Sequence, residues 1–530
     1  MRIFDLAVFF VLTLGIVFLG WHTGRRTTSA ADYTHASGRV PGVVVGLSIF
    51  ASYCSSISYL GYVSASYAGN WNQFVFTLTI PIAGFFAARY FVPFYRRQNS
   101  ISAYSYLQFR FGRWARVYAS LCYLFTQICR MATILYLLAL PLKIVFDADL
   151  SLIIILTGIA TLGFTHRGGM RTVIWIEALQ GLILIAGAFI CLFVINNSLP
   201  GGFSQVIQTG WETGKFSLGS FGFSPAESTF WVCLLYGIFT NLNNFGVDQG
   251  YTQRYHAAPN LHEARVSAIF GSFLPLPVNM LLFLIGTAIY TYYYCFPFAM
   301  PEQLGDDSIF PHFLYSHMPT GLFGLMLTCI FCAGMSTIAT SITSSATLVM
   351  EDFLLPRKRR KHQDLQFKQD FDHINSANLE EHNAILRHNE MVARVIDRDK
   401  IRMLRGSSVV ITVLGVLMAL AFQLFESRAL DAWWRLASLF SGGVLGLFLL
   451  GMSTRAQRPQ AIIATVAGVL TLVFIAFQTP LLGWLGLSPI FHNNLAIVLS
   501  TTVILLAGWL LSLRLGPSKH KGRKRFRLEA

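Results

Sequence analysis

Residues 47–61 read LSIFASYCSSISYLG and place five serines inside a long apolar segment. A helix that only contacted lipid would not need so many hydroxyl groups. Irregular backbone is tolerated at membrane depth only where protein or a water-lined cavity surrounds it, and there its freed carbonyl oxygens can bind ions or substrate. The pattern therefore predicts a helix break between Ala51 and Ser58. For this segment alone, the alternative is an unbroken helix whose hydroxyls bond back to its own carbonyls.

A second stretch, CAGMSTIATSITSSATLVMEDF at residues 332–353, favours the break. Neutral oxygens suit a hard monovalent cation that must be released in every cycle, because a full carboxylate cage would hold it too tightly. The two stretches together predict a Na+ site, and a tightly packed small-residue interface is the alternative. Small and hydroxyl side chains recur here at helical spacing on one face: Ala333, Ser336, Thr337, Thr340, Ser341 and Ser344.

The composition excludes a soluble protein. The chain has 530 residues, of which 54% are hydrophobic and only 12% are charged, and its mean hydropathy is +0.54. This indicates an all-α, polytopic membrane protein. Apolar windows of about 20 residues predict about 13 transmembrane helices, starting near Ile3, Val43, Gln73, Ala115, Leu150, Thr172, Thr229, Arg265, Gly321, Gly406, Asp431, Ala461 and Asn493.

The net charge of +15 is explained by topology rather than by nucleic acid, because the basic residues fall in short loops and tails. The first apolar run is followed by GRR and lacks a cleavage site, so we interpret it as a retained span. The sequence predicts a protein of the cell (inner) membrane with its N-terminus outside and its C-terminus in the cytoplasm. This orientation gathers nearly all basic residues on the cytoplasmic side: the tail LGPSKHKGRKRFRLEA and Arg25, Arg26, Arg39, Arg96, Arg97, Arg110, Arg113, Arg116, Arg167, Arg171, Arg254, Arg265, Arg455 and Arg458.

One polar region interrupts the pattern of spans. Residues 351–405 begin with the basic cluster PRKRRK and are cytoplasmic by the charge rule. Scattered apolar residues there allow one or two amphipathic helices at an anionic lipid surface. Binding of a cytoplasmic partner is the alternative role for this insertion.

Arg130 lies in the apolar run 119–145, about 20 Å from either end at 1.5 Å per residue. A guanidinium there costs at least about 2.5–3.5 kcal/mol unless it faces a polar cavity. Because its donors match a carboxylate, we expect Arg130 to recognise substrate. A buried salt bridge to Glu177 or Asp248 is the alternative.

Two acidic residues lie near the predicted cytoplasmic ends of their helices. Glu177 either attracts cations at the inner mouth or pairs with Arg171 or Arg167. Asp248 is expected to lock the cytoplasmic end together with Arg254. The asparagines before it, Asn241, Asn243 and Asn244, predict a second broken helix that lines a cavity.

The chain carries no enzyme motif: no Walker loop, nucleophile elbow or metal-ligand cluster is present in the sequence. Its eight cysteines are scattered through the apolar segments and are interpreted as small core residues. These observations point away from catalysis and towards transport of a small molecule.

Five stretches together resemble the sodium/solute symporter family, which includes sodium/glucose, sodium/iodide, monocarboxylate and bacterial sialic acid transporters. The similarity covers residues 3–452 and rests on the co-occurrence of ASYCSSISYLG, QICRMATILYL, GGMRTVIWIEALQ, NNFGVDQGYTQR and MSTIATSITSSATLVMED.

The resemblance implies a LeuT-like fold, a five-plus-five inverted repeat in which a broken helix opens each half. The implied organisation is an extra helix and loop (1–42), the first repeat (43–197), an extracellular loop (198–228), three helices of the second repeat (229–350), the insertion (351–405), the last two helices of that repeat (406–452), two C-terminal helices (453–514) and a basic tail (515–530).

For Na+, the resemblance implies a site in which Ala51, Cys54 and Ala333 provide carbonyls and Ser336 and Thr337 provide hydroxyls. A second Na+ site, found in some members, would use Glu177 and Thr340. The residue at position 339 is alanine where a hydroxyl is expected, which argues against that second site.

For substrate, the resemblance implies a cavity whose residues are Tyr53, Ser55, Ser58, Gln73, Thr77, Arg130, Asn241, Asn244 and Phe245. Arg130 matches the arginine that holds the carboxylate in sialic acid carriers. Sugar carriers place a lysine near Pro275 and an aromatic residue at Asn244, so the pocket does not resemble a galactose site.

The sequence therefore predicts a Na+-coupled symporter that imports a small carboxylate-bearing anion, with sialic acid as the named candidate. Three alternatives stay open. A solute sensor could use the same fold and signal through residues 351–405 or the tail. A symporter for a sugar or another neutral solute is the second alternative, and a channel or proton-coupled carrier is the third.

Overall fold

All regular secondary structure that the computed structural model describes is helical, and the description covers residues 3–25, 27, 29–98, 100–146, 148–300, 305–355, 379–423, 429–483 and 486–514. The first half contains α1 (Ile3–Gly24), α2 (Ala30–His35), α3 (Gly42–Tyr53), α4 (Ser56–Ala68), α5 (Phe74–Leu78), α6 (Ile80–Phe86), α7 (Val92–Arg97), α8 (Ser105–Phe111), α9 (Arg113–Phe146) and α10 (Leu150–Ser198).

The second half continues with α11 (Gly202–Glu212), α12 (Phe230–Val247), α13 (Gln249–Ala257), α14 (Leu261–Phe273), α15 (Pro275–Cys295), α16 (Asp306–His317), α17 (Leu322–Leu348), α18 (Leu379–Phe422), α19 (Ala429–Ser453), α20 (Arg458–Gly483) and α21 (Leu495–Arg514). Two segments, Ala87–Phe91 and Val349–Leu354, are π-helical.

Nine helices within the described ranges are long and apolar enough to cross a membrane, and the bent pair α3 and α4 adds a tenth. The all-α, polytopic prediction is confirmed. The count of about 13 spans and the inverted repeat stay predictions. The insertion's residues 356–378 lie outside the described ranges, and its predicted boundary at 405 falls within the continuous helix α18.

The first helix break is present where the serine-rich stretch predicts it. Helix α3 ends at Tyr53 and α4 begins at Ser56, with a bend of 52° between them. Cys54 has a ψ of 81° and Ser55 is extended. The Ser55 hydroxyl accepts a hydrogen bond of 3.2 Å from the Ile57 amide and so caps the new helix.

The second break lies at Asp248, between α12 and α13. Asp248 is extended, and its carboxylate accepts hydrogen bonds from the amides of Gly250 at 2.7 Å and Tyr251 at 3.2 Å. A carboxylate at this position satisfies amides that have no partner within the helix. The predicted second break is therefore present, but it follows the asparagines, which lie within the continuous helix α12.

Helix α17 lies at the centre of the packing. It contacts α1, α3, α4, α9, α10 and α13, and nearly every one of its residues is buried. Its glycine, alanine, serine and threonine side chains let neighbouring backbones approach closely, as in other membrane helix interfaces. The two halves of the broken helix contact different partners: α3 packs on α10 and α14, and α4 on α15 and α16.

A buried lysine fastens the loop after α11 to the end of α4. Its ammonium donates hydrogen bonds to the carbonyls of Tyr67 at 2.5 Å and Gly69 at 2.9 Å, and it lies 3.7 Å from the centre of the Tyr290 ring. Burial lowers the pKa of this residue, Lys215, to about 8. The loop thereby covers the end of α4 that is remote from the break.

We expect Gly286→Ala to destabilise the protein by about 1–3 kcal/mol. A methyl group at Gly286 of α15 would overlap the Val63 carbonyl and lie 2.8 Å from the Ser66 Cβ, so α4 and α15 would have to separate. Thermal melting of the purified protein in detergent measures the loss. Gly163→Ala is the control, because nothing lies within 4 Å of a methyl group there. Equal melting temperatures for both variants would contradict the close approach.

Candidate functional site

The break leaves two carbonyl oxygens of α3 without their helical donors. The Ser55 amide, which would bond to the Ala51 carbonyl in a continuous helix, donates instead to the Tyr53 carbonyl at 3.1 Å. Hydroxyls of α17 approach the freed oxygens. Ser336 Oγ lies 3.3 Å from the Ala51 carbonyl, and Thr337 Oγ1 lies 3.3 Å from the Ser52 carbonyl.

The same two hydroxyls also contact a carbonyl of their own helix. Ala333 O lies 2.9 Å from Ser336 Oγ and 3.2 Å from Thr337 Oγ1. The structure therefore brings together four of the five residues predicted for the main Na+ site, Ala51, Ala333, Ser336 and Thr337. All of these residues are buried, and their oxygens are neutral, which suits Na+. The fifth, Cys54, lies in the break itself, and its thiol is 3.5 Å from Asn279 Oδ1.

The residues predicted for a second Na+ site surround an arginine. Arg254 Nη2 lies 2.7 Å from Glu177 Oε2 and 2.5 Å from Thr340 Oγ1. Glu177 also accepts hydrogen bonds from Ser48 and Thr340. Arg254 and Glu177 have side-chain exposures of 0% and 1%, so this ion pair is excluded from solvent.

The sequence left Arg171 and Arg167 as partners for Glu177 and placed Arg254 with Asp248. The structure differs, because α13 folds back against α17 and brings Arg254 to Glu177. Arg171 Nη1 instead lies 3.6 Å from Asp32 Oδ2, and the Arg171 side chain is 41% exposed.

A cavity lies beside the ion ligands and contains about 930 Å³ of space, counting the part that opens to solvent. Five predicted substrate residues line it: Tyr53, Ser55, Ser58, Arg130 and Asn244. Asn243, which the sequence placed on a cavity-lining helix, also lines it. Sequence reasoning missed the rest of the lining, which is Ile57, Tyr62, Phe76, Tyr104, Tyr123, Thr126, Gln127, Tyr236, Thr240, Asp248, Ala437, Ser441 and Val444. The mixture of aromatic and polar groups is typical of small-molecule sites.

The other four predicted residues lie outside this lining. Asn241 accepts a hydrogen bond of 2.7 Å from the Tyr53 hydroxyl, and the Phe245 ring packs 5.9 Å from the Tyr53 ring. Both therefore support Tyr53. Thr77 accepts a hydrogen bond of 3.2 Å from Asn279, and Gln73 ends the short turn before α5.

Arg130 joins the cavity to the ion ligands. Its Nη2 atom donates a hydrogen bond of 2.9 Å to the Ser52 carbonyl, which also accepts from Thr337. Glu177, one of the two partners considered for Arg130, is paired with Arg254. The other, Asp248, lines the same cavity as Arg130 and accepts a hydrogen bond of 3.3 Å from Gln127.

Part of the missed lining had a signal in the sequence. Tyr123 and Gln127 precede Arg130 by two turns and one turn of α9, so helical spacing places all three on one face. Both also bond to α17: the Tyr123 hydroxyl donates to Ser344 Oγ at 2.7 Å, and Ser341 donates to Gln127 Oε1 at 2.6 Å.

The profile of the sodium:solute symporter family matches residues 33–371. The chain belongs to this family. It is a Na+-coupled membrane transporter and not an enzyme, and its partners are Na+ and a small-molecule solute. The resemblance inferred from the five motifs is thereby confirmed.

Two curated bacterial relatives match almost the whole symporter. A sodium/sialic acid symporter, NanT of Aliivibrio fischeri, is 29% identical over 502 residues, covering 91% of this chain and 92% of its own length. A sodium/sialic acid symporter, SiaT of Proteus mirabilis, is 27% identical over 485 residues and covers 90% of both.

Solved structures support the fold. A Na+-coupled sialic acid symporter in a substrate-bound, outward-open state superposes with a TM-score of 0.81 at 25% identity, covering 97% of this chain and 99% of its own. Mhp1, a nucleobase-cation-symport-1 family transporter, has a TM-score of 0.55 at 11% identity and shows the likeness of fold alone.

We expect Arg254→Gln to cost about 3–5 kcal/mol of stability, because it leaves the buried Glu177 carboxylate without its cation. Thermal melting of the purified symporter measures the loss. The control Arg171→Gln removes an arginine from a partly exposed pair and should cost less than about 1 kcal/mol. Glu177→Gln/Arg254→Gln should recover part of the loss. Equal losses of stability in Arg254→Gln and Arg171→Gln would show that the buried ion pair contributes no more than the partly exposed one.

Proposed function

We propose that this symporter imports a small carboxylate-bearing anion, with sialic acid as the leading candidate, together with Na+. The contact that carries the proposal is the Ser52 carbonyl, which accepts hydrogen bonds from both Arg130 and Thr337. The first donor faces the cavity and the second belongs to the candidate ion ligands. The full-length relatives described as sodium/sialic acid symporters support this choice of solute.

Arg130 would recognise the substrate carboxylate. Its guanidinium lines the cavity, and its planar fork of donors matches the geometry of a carboxylate. Tyr53, Ser55, Ser58 and Asn244 offer neutral hydroxyl and amide groups in the same cavity for the rest of the solute. The other predicted residues would support this lining from outside the cavity: Gln73, Thr77, Asn241 and Phe245.

Ala51, Cys54 and Ala333 would bind Na+ through carbonyls, and Ser336 and Thr337 through hydroxyls. The set carries no full charge, so the ion can leave in each cycle. Because its ligands come from α3 and α17, ion binding holds the broken helix against α17. Each ion that enters releases about 2.3 kcal/mol per 100 mV and about 1.4 kcal/mol per tenfold gradient.

We assign one Na+ to each cycle, because an arginine occupies the predicted second site at Glu177 and Thr340. Arg254 already neutralises Glu177 and contacts Thr340. A Na+ ion there would have to displace a fully buried guanidinium, at the large cost of leaving a charge unpaired. A sigmoidal dependence of uptake on Na+ concentration, with a Hill coefficient of about two, would contradict this assignment.

Uptake of labelled N-acetylneuraminate into proteoliposomes tests the main proposal. An inward Na+ gradient should drive accumulation, and Arg130→Ala or Ser336→Ala/Thr337→Ala should reduce it by about a hundredfold, the loss expected for removing a charged substrate contact or two ion ligands. Lys143→Ala is the control. Lys143 is on the same helix as Arg130, α9, but it lies in the last turn, far from Arg130.

The outcomes separate the alternatives. If Na+ drives uptake of another organic acid but not of sialic acid, the coupling stands and the named solute is wrong. Uptake of sugars that survives Arg130→Ala would favour a neutral-solute symporter. Uptake that persists without Na+ would favour a channel or proton coupling, and no accumulation of any solute would favour a sensor.

We propose that the N-terminus is outside the cell membrane and the C-terminus is cytoplasmic. Basic side chains support this orientation by joining loops at one end of the molecule. Arg96 donates to the Ala258 carbonyl at 3.0 Å, and Arg110 donates to the Thr454 carbonyl at 2.8 Å. The exposed apolar side chains of the spans would contact the bilayer. The predicted partner of residues 351–405 stays a prediction.

An epitope tag tests the orientation. A tag after Ala530 should be hidden from antibody in intact spheroplasts and appear after permeabilisation. A tag after Gly214, where the backbone has a φ of +70° and open space around it, should be accessible without permeabilisation. The reverse pattern would show that the topology is inverted.

A further inference from the structure

Two opposite charges line the proposed substrate cavity. Arg130 belongs to α9, and Asp248 lies at the second helix break. Among the described residues that line the cavity, these two alone carry a full charge, because the other polar groups are hydroxyls and amides. The ion pair of Glu177 with Arg254, close by, adds no net charge. The cavity is therefore neutral overall before a solute or an ion enters.

Hydrogen bonds hold Asp248 beside the helix that carries Arg130. Its Oδ1 atom accepts from the amides of Gly250 at 2.7 Å and Tyr251 at 3.2 Å, and its Oδ2 atom accepts from Gln127 at 3.3 Å. Gln127 lies one turn before Arg130 on the same face of α9. Three donors favour the ionised carboxylate, and the positive charge of Arg130 attracts it.

A fixed negative charge acts in opposite directions on the two species that the symporter carries. It repels a solute carboxylate at Arg130, and it attracts a cation at the candidate ligands of α3 and α17. The cavity and those ligands adjoin, because the Ser52 carbonyl accepts hydrogen bonds from both Arg130 and Thr337. A neighbouring charge within a protein changes the binding constant of an ionic group by about 10- to 1,000-fold. An anion alone would leave the cavity negative, whereas an anion with Na+ leaves it neutral.

We propose that Asp248 is the counter-charge of Arg130 and keeps the affinity for the solute anion low until Na+ is present. This inference rests on the proposed anion site and deepens it, because it assigns a residue that sets the Na+ requirement. Without Asp248, Arg130 would hold the anion by itself, and the solute could cross without the ion. With Asp248, the neutral state that contains both is favoured, so uptake follows the Na+ gradient.

Asp248→Asn tests this role because it removes the charge and keeps the shape. An asparagine also accepts hydrogen bonds at a helix N-terminus, so α13 keeps its cap, and the Gln127 amide can turn to face the new one. Labelled N-acetylneuraminate should bind the purified variant about tenfold more tightly than the native protein in choline buffer without Na+. Binding of ²²Na+ without solute should weaken by about tenfold.

The matched control is Asp5→Asn. Asp5 is also buried, and its Oδ1 atom likewise accepts hydrogen bonds from two amides, those of Gly321 at 2.7 Å and Gly324 at 3.0 Å. It lies on α1 and is not part of the cavity lining. This variant should bind both labelled species as the native protein does. If Asp248→Asn does not purify as a monodisperse protein, Asp248→Ser replaces it, since serine also caps helices.

Unchanged or weaker binding of N-acetylneuraminate in Asp248→Asn would overturn the inference, because the carboxylate would then not oppose the anion. An equal change in Asp5→Asn would overturn it too. If the native protein does not bind N-acetylneuraminate even with Na+, the named solute is wrong, and the binding of ²²Na+ decides the role of Asp248. If the native protein binds N-acetylneuraminate with Na+ and Asp248→Asn binds it no more tightly without Na+, only the role of Asp248 falls.

Discussion

The unpaired backbone carbonyls of α3 set the constraint on which the site depends. At membrane depth no bulk water is available, so a freed carbonyl needs a partner inside the protein. The break at Cys54 and Ser55 frees the carbonyls of Ala51 and Ser52, and hydroxyls of α17 approach both. The same oxygens are suitable ligands for Na+. A backbone irregularity that would be costly in a lipid-facing helix is thus the central feature of the proposed transport site.

Two kinds of polar group meet around α17, and each serves a different purpose. The ion pair of Glu177 with Arg254 joins α10 to α13 and carries no net charge. Arg130 links the cavity to the Ser52 carbonyl. The first group is satisfied by the protein, and the second lines the cavity proposed for the substrate.

The fold and the chemical nature of the site could largely be predicted from local patterns. Serines in an apolar segment predict the break, and its position at Cys54 and Ser55 agrees with the range 51–58. Hydroxyl spacing marks one face of α17, and the family resemblance singles out Ser336 and Thr337 on that face. The lining of the cavity was harder to predict from the sequence, because Tyr236, Ser441 and Tyr104 come from three elements far apart in the chain. Nothing local to any one of them indicates a shared cavity.

The sequence by itself determined that the protein is all-α and polytopic, where α3 breaks and which residue types could bind Na+ and a carboxylate. These follow from hydropathy, helical period and side-chain chemistry, which are local properties. Only the tertiary structure decided that Glu177 pairs with Arg254 and that Arg130 contacts Ser52. These pairings depend on the register between helices that are distant in sequence, and packing of whole helix faces sets that register.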